Sequence, residues 1–129
     1  MRRLIAVIPA LVCLVGLTTA ASAYEGDWKR GRVYYRGVCT ECHTAQKGTT
    51  IAPNNYTIAE WTAYLQADKH AGGKDSVKQY VSAAYRTNVK GTNKVAEKFA
   101  TVPDQDLFED IKAFVISGAK DGDAPASCN

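Results

Sequence analysis

Two cysteines and a histidine lie close together in residues 38–44, which read VCTECHT. Cys39 and Cys42 are separated by two residues, and His43 follows directly. The spacing C-x-x-C-H is typical of covalent haem attachment: the two thiols add across the haem vinyl groups and the histidine binds the iron. We therefore predict one covalent haem c, with thioether bonds to Cys39 and Cys42 and with His43 as the proximal iron ligand.

A C-x-x-C pair has two other common uses. A thioredoxin-like redox pair needs a βαβ context, and a zinc site needs a second pair of Cys or His ligands. The sequence has no strand pattern and no second ligand pair at that spacing. Two free cysteines in an oxidising compartment also tend to form a disulfide unless they are used otherwise. Haem attachment is therefore the preferred interpretation.

The first 23 residues have the pattern of a secretory signal peptide. Arg2 and Arg3 precede a nearly all-apolar run over residues 4–17, and the small residues 21–23 form an A-x-A-like cleavage site. We predict cleavage after residue 23 and export to the periplasm or the extracellular space, with a retained N-terminal anchor as the alternative. Because no second apolar run follows, we expect no integral membrane span after cleavage.

The charge balance gives little indication of a polyanionic partner. The 129-residue chain has 16 Lys+Arg and 13 Asp+Glu, and cleavage would remove Arg2 and Arg3, leaving 14 against 13. Binding to nucleic acid or to a membrane surface requires a basic patch or stripe, and we expect none here. The predicted organisation is a signal peptide over 1–23, one domain over 24–120 and a polar C-terminal tail over 121–129.

Helical patterns dominate the predicted domain, and no stretch alternates in the manner of a strand. We predict four helices, whose N-terminal signals are Asp27, the capping box of Thr57 and Glu60, Asp75, and Pro103. Gly72-Gly73 is expected to end the second helix and Gly118 the fourth. Residues 46–55 and 88–102 are predicted to be loops.

Residues on both sides of the motif make the chain resemble the class I monohaem cytochromes c. In that family a glycine stands eight residues before the first haem cysteine and an aromatic residue four before it, matched here by Gly31 and Tyr35. An apolar residue and an aromatic three positions later in the last helix are matched by Ile111 and Phe114. The resemblance implies that the first and last helices cross where the glycine allows close approach.

The resemblance also implies a fold and a function. The expected fold is all-α, a small cytochrome c-like helical domain wrapped around one covalently bound haem. The carbonyl of Pro53 is expected to accept a hydrogen bond from His43. Large apolar side chains that could wall the haem pocket are Trp28, Tyr35, Trp61 and Tyr64. The resemblance covers the haem motif and both ends of the domain, but it is weak across residues 57–100.

In the class I family the second axial ligand is a methionine in a loop shortly before the last helix. This ligand has no match here, because the only methionine is Met1. His70 is the only histidine besides His43, and we predict that it is the distal ligand. If the second helix continued that far, His70 would point away from the apolar face, but an unwound helix end would free its orientation. The alternative is a solvated cation at a helix C-terminus.

Other distal arrangements stay open. The family's distal loop corresponds to a segment that contains Asn93, Lys94 and Lys98, and a lysine binds iron only when burial deprotonates it. A five-coordinate iron with an open or weakly ligated distal site would instead bind small gases or act as a sensor. Cys128 has no internal partner, which predicts an intermolecular disulfide, a reactive thiol or an incidental residue.

The expected function is one-electron transfer rather than enzymatic catalysis, with other redox proteins as partners. Ligation by His43 and His70 would give a lower potential than ligation by histidine and methionine.

Overall fold

Every regular element in residues 23–124, the part of the chain that the computed structural model describes, is helical. The α-helices are α1 (Trp28–Tyr34), α2 (Glu41–Lys47), α3 (Ile58–Ala67), α4 (Val77–Val81), α5 (Ala83–Val89), α6 (Lys94–Lys98) and α7 (Asp104–Ser117). A π-helical segment, Tyr35–Thr40, joins α1 to α2, and Pro53–Asn55 forms a 3-10 turn. The predicted all-α class is confirmed. The predicted signal peptide, except for Ala23, lies outside the described residues, as does Cys128.

Helix α1 begins at the predicted cap. The Asp27 carboxylate accepts hydrogen bonds from the backbone N–H groups of Lys29 and Arg30, which have no partner inside the helix. The backbone then stays helical through the π-helical segment and α2, and it ends at Gly48, which has a left-handed φ of 67°. The C-x-x-C-H residues therefore lie inside a long helical stretch.

The first and last helices cross as the resemblance implied. A Cβ atom on Gly31 would overlap with the backbone carbonyl of Asp110 in α7, so only glycine permits this approach. One helical turn further, the Tyr35 ring packs on Phe114 with ring centroids 5.4 Å apart. Ile111 is also buried in this core.

A buried carboxylate strengthens the same crossing. Asp110 is fully buried in α7 and accepts hydrogen bonds from the Tyr24 hydroxyl at 2.6 Å and from the Asp27 N–H at 2.7 Å. It also pairs with the Arg30 guanidinium. Since a buried charge is tolerated only when it is paired and hydrogen-bonded, these partners allow Asp110 to lie in the core.

Helix α3 begins where the sequence predicted but ends earlier. The capping box of Thr57 and Glu60 is present. The helix ends at Ala67, because Asp68 adopts a left-handed φ of 49° and its carboxylate accepts a hydrogen bond from Lys78 N–H at 2.9 Å. The prediction that Gly72-Gly73 ends this helix is therefore wrong.

The third predicted helix is two short helices. Ser76, not Asp75, caps α4, since its hydroxyl accepts from the Gln79 N–H and Gln79 bonds back to Ser76. Ser82 has an extended backbone that interrupts the helix, and its hydroxyl caps α5. Serine hydroxyls compete with helical hydrogen bonds for nearby backbone groups, which explains a break at this position.

The segment 88–102, predicted to be a loop, contains α6. It is held by Arg86, a fully buried residue of α5 that donates hydrogen bonds to the carbonyls of Phe99 and Val102 and pairs with Asp104. Helix α7 follows Pro103 and ends at Gly118, as predicted.

The first residues of the predicted tail contact the body of the domain. The Asp121 carboxylate accepts a hydrogen bond from Ile58 N–H at 2.7 Å, at the start of α3, and Ala124 N–H donates to Ser117 O at 3.0 Å. Within residues 23–124, none of the helices has the length and apolar character that a bilayer crossing requires.

Candidate functional site

The C-x-x-C-H residues lie at the junction of the π-helical segment and α2. Cys39 belongs to the π-helical turn, and Cys42 and His43 belong to α2. Single π-helical turns occur frequently at functional sites, because they rotate the side chains that follow. Both thiols are free. Cys39 packs against the hydrophobic core, and this burial, with a smaller contribution from Cys42, raises the pKa of its thiol to about 12.

The loop before α6 is hydrogen-bonded to the helical turn that carries Cys39. The Asn93 side-chain amide donates to the Gly37 carbonyl at 2.7 Å and to the Glu41 carboxylate at 3.0 Å. A Cβ atom on Gly37 would overlap with the Val95 side chain, so the glycine allows α6 to approach the π-helical segment. Asn93, a candidate iron ligand by position, is thus used to hold the turn that carries Cys39.

The two candidate lysines, which lie in α6, lack the burial that ligation requires. The Lys94 side chain is 80% exposed and its ammonium lies 3.2 Å from the Glu97 carboxylate. Lys98 is also exposed. A lysine amine becomes a ligand only when it loses its proton, and solvent exposure favours the charged form.

The structure brings His70 beside His43. Their ring centroids are 5.5 Å apart with an angle of 72° between the ring planes. The early end of α3 makes this possible, because the chain turns at Asp68 and places His70 outside the helix. His70 is therefore not directed away from the apolar face, as it would have been on a longer α3.

The His70 ring is packed and only partly satisfied. It lies 5.0 Å from the Tyr80 ring, and its Nδ1 atom is buried with no hydrogen-bond partner. Burial, and next the nearby His43, lower the pKa of His70 below its ordinary value. The neutral imidazole, which is the form that binds a metal, is therefore favoured.

The hydrogen bond that the resemblance implied for Pro53 has a different donor. Its carbonyl accepts a hydrogen bond from the Trp61 indole N–H at 2.7 Å instead of from His43. This bond anchors Trp61 in the core, where its ring contacts Tyr35, Tyr56 and Tyr64. A buried indole N–H needs a hydrogen-bond acceptor, which explains why Trp61 bonds to Pro53. The spacing of the two residues in the sequence did not indicate this bond.

Aromatic side chains surround the cysteines and histidines. Tyr64 and Tyr85 are partly buried, and burial is the main cause that raises the pKa of each. The Cys39 thiol adds to the effect at Tyr64, and the Cys42 and Cys39 thiols add to it at Tyr85. Tyr80 joins Tyr85 to His70 through ring contacts of 5.2 and 5.0 Å. Trp28 does not take part as expected, because it is 44% exposed on the outer side of α1.

These residues fit a covalently attached haem. Two free thiols on one helical stretch could form the thioether bonds, and the two imidazoles that would bind the iron lie beside each other, with ring centroids 5.5 Å apart. Among the described residues, no three His, Cys, Asp or Glu side chains are arranged to hold a metal ion by themselves. A haem iron needs only two axial ligands from the protein.

A groove on the outer side of α1 and the start of the π-helical segment is lined by Trp28, Lys29, Arg32, Val33 and Arg36. Trp28 and Val33 are 44% and 50% exposed, and the Lys29 ammonium lies 5.8 Å from the Trp28 ring. The expectation that the chain has no basic patch or stripe stays a prediction. The expectation that nucleic acid is not a partner stays a prediction.

No protein-family model, curated protein or solved structure matches the chain. The resemblance to class I monohaem cytochromes c therefore depends on the motif and on the residues that flank it.

Proposed function

We propose that this protein is an exported c-type cytochrome that carries single electrons through one covalently attached haem. The observation that supports this most directly is the 5.5 Å approach of the His43 and His70 rings beside the C-x-x-C pair. The two histidines are 27 positions apart in the sequence, and a local structural role for either one would not require their proximity.

Each residue of the site has a distinct part in this proposal. Cys39 and Cys42 would hold the haem through thioether bonds, and His43 and His70 would bind its iron. A haem held by these residues would supply an iron that accepts and releases single electrons. The protein supplies the ligands, the partial burial and the aromatic surroundings of the site. If both His43 and His70 bind the iron, they would leave it no position for a substrate, which would favour an electron carrier over an enzyme.

The proposed ligation has a consequence for the potential and for the partners. Replacing a thioether by a second imidazole lowers the reduction potential of a c-type haem. We therefore propose a low-potential carrier that exchanges electrons with other redox proteins in the periplasm or outside the cell. Its export depends on the predicted signal peptide at residues 1–23.

Covalent attachment can be tested by producing the full chain in a bacterial host that matures c-type cytochromes. We expect the wild-type chain to keep its haem stain and a c-type pyridine haemochrome spectrum after denaturing electrophoresis and solvent extraction. The double variant Cys39→Ala/Cys42→Ala should lose both signals, while Cys128→Ala should keep them. A wild-type chain without covalent haem would overturn the proposal.

The open distal site remains the alternative outcome. A haem-loaded wild-type protein with a high-spin ferric iron would favour the gas-binding or sensing function over the electron carrier.

A further inference from the structure

We infer that Gly73 is a positioning residue for His70: its missing side chain lets a turn close directly over the imidazole and fix it toward His43. The inference depends on the proposed function, because it assigns a role in holding the distal iron ligand. Gly73 itself is exposed and would touch neither the haem nor the iron.

The turn that contains Gly73 folds back on the histidine. Gly73 N–H donates a hydrogen bond to the His70 carbonyl at 3.1 Å, which closes a turn over residues 70–73. This places the Cα atom of Gly73 against the side chain of the residue that starts the turn. The backbone of the turn and the ring of His70 are therefore packed on each other.

The space at Gly73 is too small for any side chain. A Cβ atom there would lie 2.6 Å from His70 Nδ1, 2.6 Å from the Tyr80 hydroxyl oxygen and 3.0 Å from Tyr80 Cε2. Ordinary contacts of a methyl group are longer than 3.4 Å, so a methyl group at this position would have to displace the imidazole, the phenol or the turn. His70 is thus held between the turn and the Tyr80 ring, whose centroid lies 5.0 Å from its own.

The packing also indicates which of the two imidazole nitrogens would face the iron. Nδ1 lies on the Gly73 side of the ring, 2.6 Å from the position of a Cβ atom on that glycine, and it is buried. With Nδ1 on that side, Nε2 is the nitrogen that remains for the iron.

Gly72 provides a matched control. A Cβ atom on Gly72 would meet only the Lys47 side chain, 3.6 Å away, which is an ordinary contact. Neither glycine has a positive φ, so alanine is compatible with the backbone at both positions. The two variants Gly73→Ala and Gly72→Ala therefore carry the same chemical change and differ in the contact with His70.

The test measures how firmly His70 holds the iron in the haem-loaded full chain. Carbon monoxide binds the ferrous iron only after the distal ligand leaves, so its binding rate at saturating gas reports that departure. We expect Gly73→Ala to accelerate binding about tenfold or more, as overpacking of a tight site would. Gly72→Ala should stay within about twofold of the wild type, since it creates no clash. External imidazole should restore a low-spin ferric spectrum to any high-spin fraction of Gly73→Ala.

The outcomes separate this inference from the proposed function. If His70→Ala leaves both the spectrum and the binding rate unchanged, His70 is not the ligand and the proposed ligation fails. If His70→Ala changes them but Gly73→Ala behaves like Gly72→Ala, only the role of Gly73 is overturned. If Gly73→Ala is not recovered as folded protein, Tyr80→Ala is measured instead, because it removes the ring that packs on the other side of His70. The same acceleration in that variant supports the inference, and an unchanged rate contradicts it.

Discussion

Cys39 and His70 are both kept in their neutral forms by burial. Burial raises the pKa of the Cys39 thiol to about 12 and lowers the pKa of His70 below its ordinary value. Both neutral forms suit the proposed chemistry. A thioether carries no charge, so attachment at Cys39 would place no ion in the core, and a neutral imidazole has the lone pair that an iron needs.

The raised pKa of Cys39 predicts slow alkylation. In haem-free chain with Cys42→Ala and Cys128→Ala, we expect iodoacetamide at about pH 8 to modify folded Cys39 at least about a hundredfold more slowly than the urea-unfolded chain. The reason is that only the thiolate reacts, and its fraction is small when the pKa is high. The rate should rise with pH up to about 12.

Mass spectrometry of the quenched reaction gives both rates. Equal rates in the folded and unfolded chains would show that Cys39 is not buried against the core.

At the level of single residues, the sequence indicated the candidate cysteines and histidines, but it did not indicate the residues that pack against His70. The spacing of Cys39, Cys42 and His43 is local, so the motif alone could indicate a haem. His70 was selected because it is the only other histidine. Tyr80 and Gly73 contact His70 only because the chain turns at Asp68, and no spacing rule predicts a left-handed aspartate.

Helices α1 and α7 pack closely where they cross at Gly31. The approach at Gly31 leaves no room for a Cβ atom next to the Asp110 carbonyl. We expect Gly31→Ala to lower the free energy of unfolding by about 2 kcal/mol or more, because the helices must separate. Gly91 is the control, since nothing lies within 4 Å of a Cβ atom there.

Urea unfolding of the haem-loaded variants measures this difference. Gly91→Ala should change the free energy of unfolding by no more than about 1 kcal/mol, because alanine there meets no atom. Equal losses in the two variants would contradict the tight crossing.

The capping box of α3 predicts a specific dependence on pH. The Thr57 backbone N–H and hydroxyl hold the pKa of Glu60 below its ordinary value of 4.5. A lowered pKa means that the carboxylate stabilises the folded state above the ordinary pKa and loses this effect as the pH falls through the lowered value.

We therefore expect wild-type protein to lose more stability between about pH 7 and pH 3 than Glu60→Gln, which keeps a hydrogen-bonding side chain without the charge. Urea unfolding at the two pH values measures both losses. If the two proteins lose the same amount, the capping carboxylate has no influence on stability.

At the level of elements, caps were more predictable than interruptions. Asp27 and Thr57 were identified because an N-cap depends on a few adjacent residues. The break at Ser82 and the short helix α6 could not be predicted, because they depend on distant contacts. Arg86, for example, reaches the carbonyls of Phe99 and Val102, which fixes the chain after α6.

The whole domain places residues from three separate segments at one site. The C-x-x-C-H motif comes from the first helical stretch, His70 from the turn after α3, and the aromatic side chains Tyr80 and Tyr85 from α4 and α5. The all-α class was predictable from the capping signals and the lack of strand patterns. The arrangement of the middle region could not be predicted, since the resemblance to the family is weak across residues 57–100.

The ferric spectrum of the haem-loaded full chain, with and without His70, tests the central claim most directly. We expect absorption and electron paramagnetic resonance of the wild type to show a low-spin iron, and we expect His70→Ala to show a high-spin iron. A high-spin wild type, or a low-spin spectrum that is the same in His70→Ala, would contradict ligation by His43 and His70.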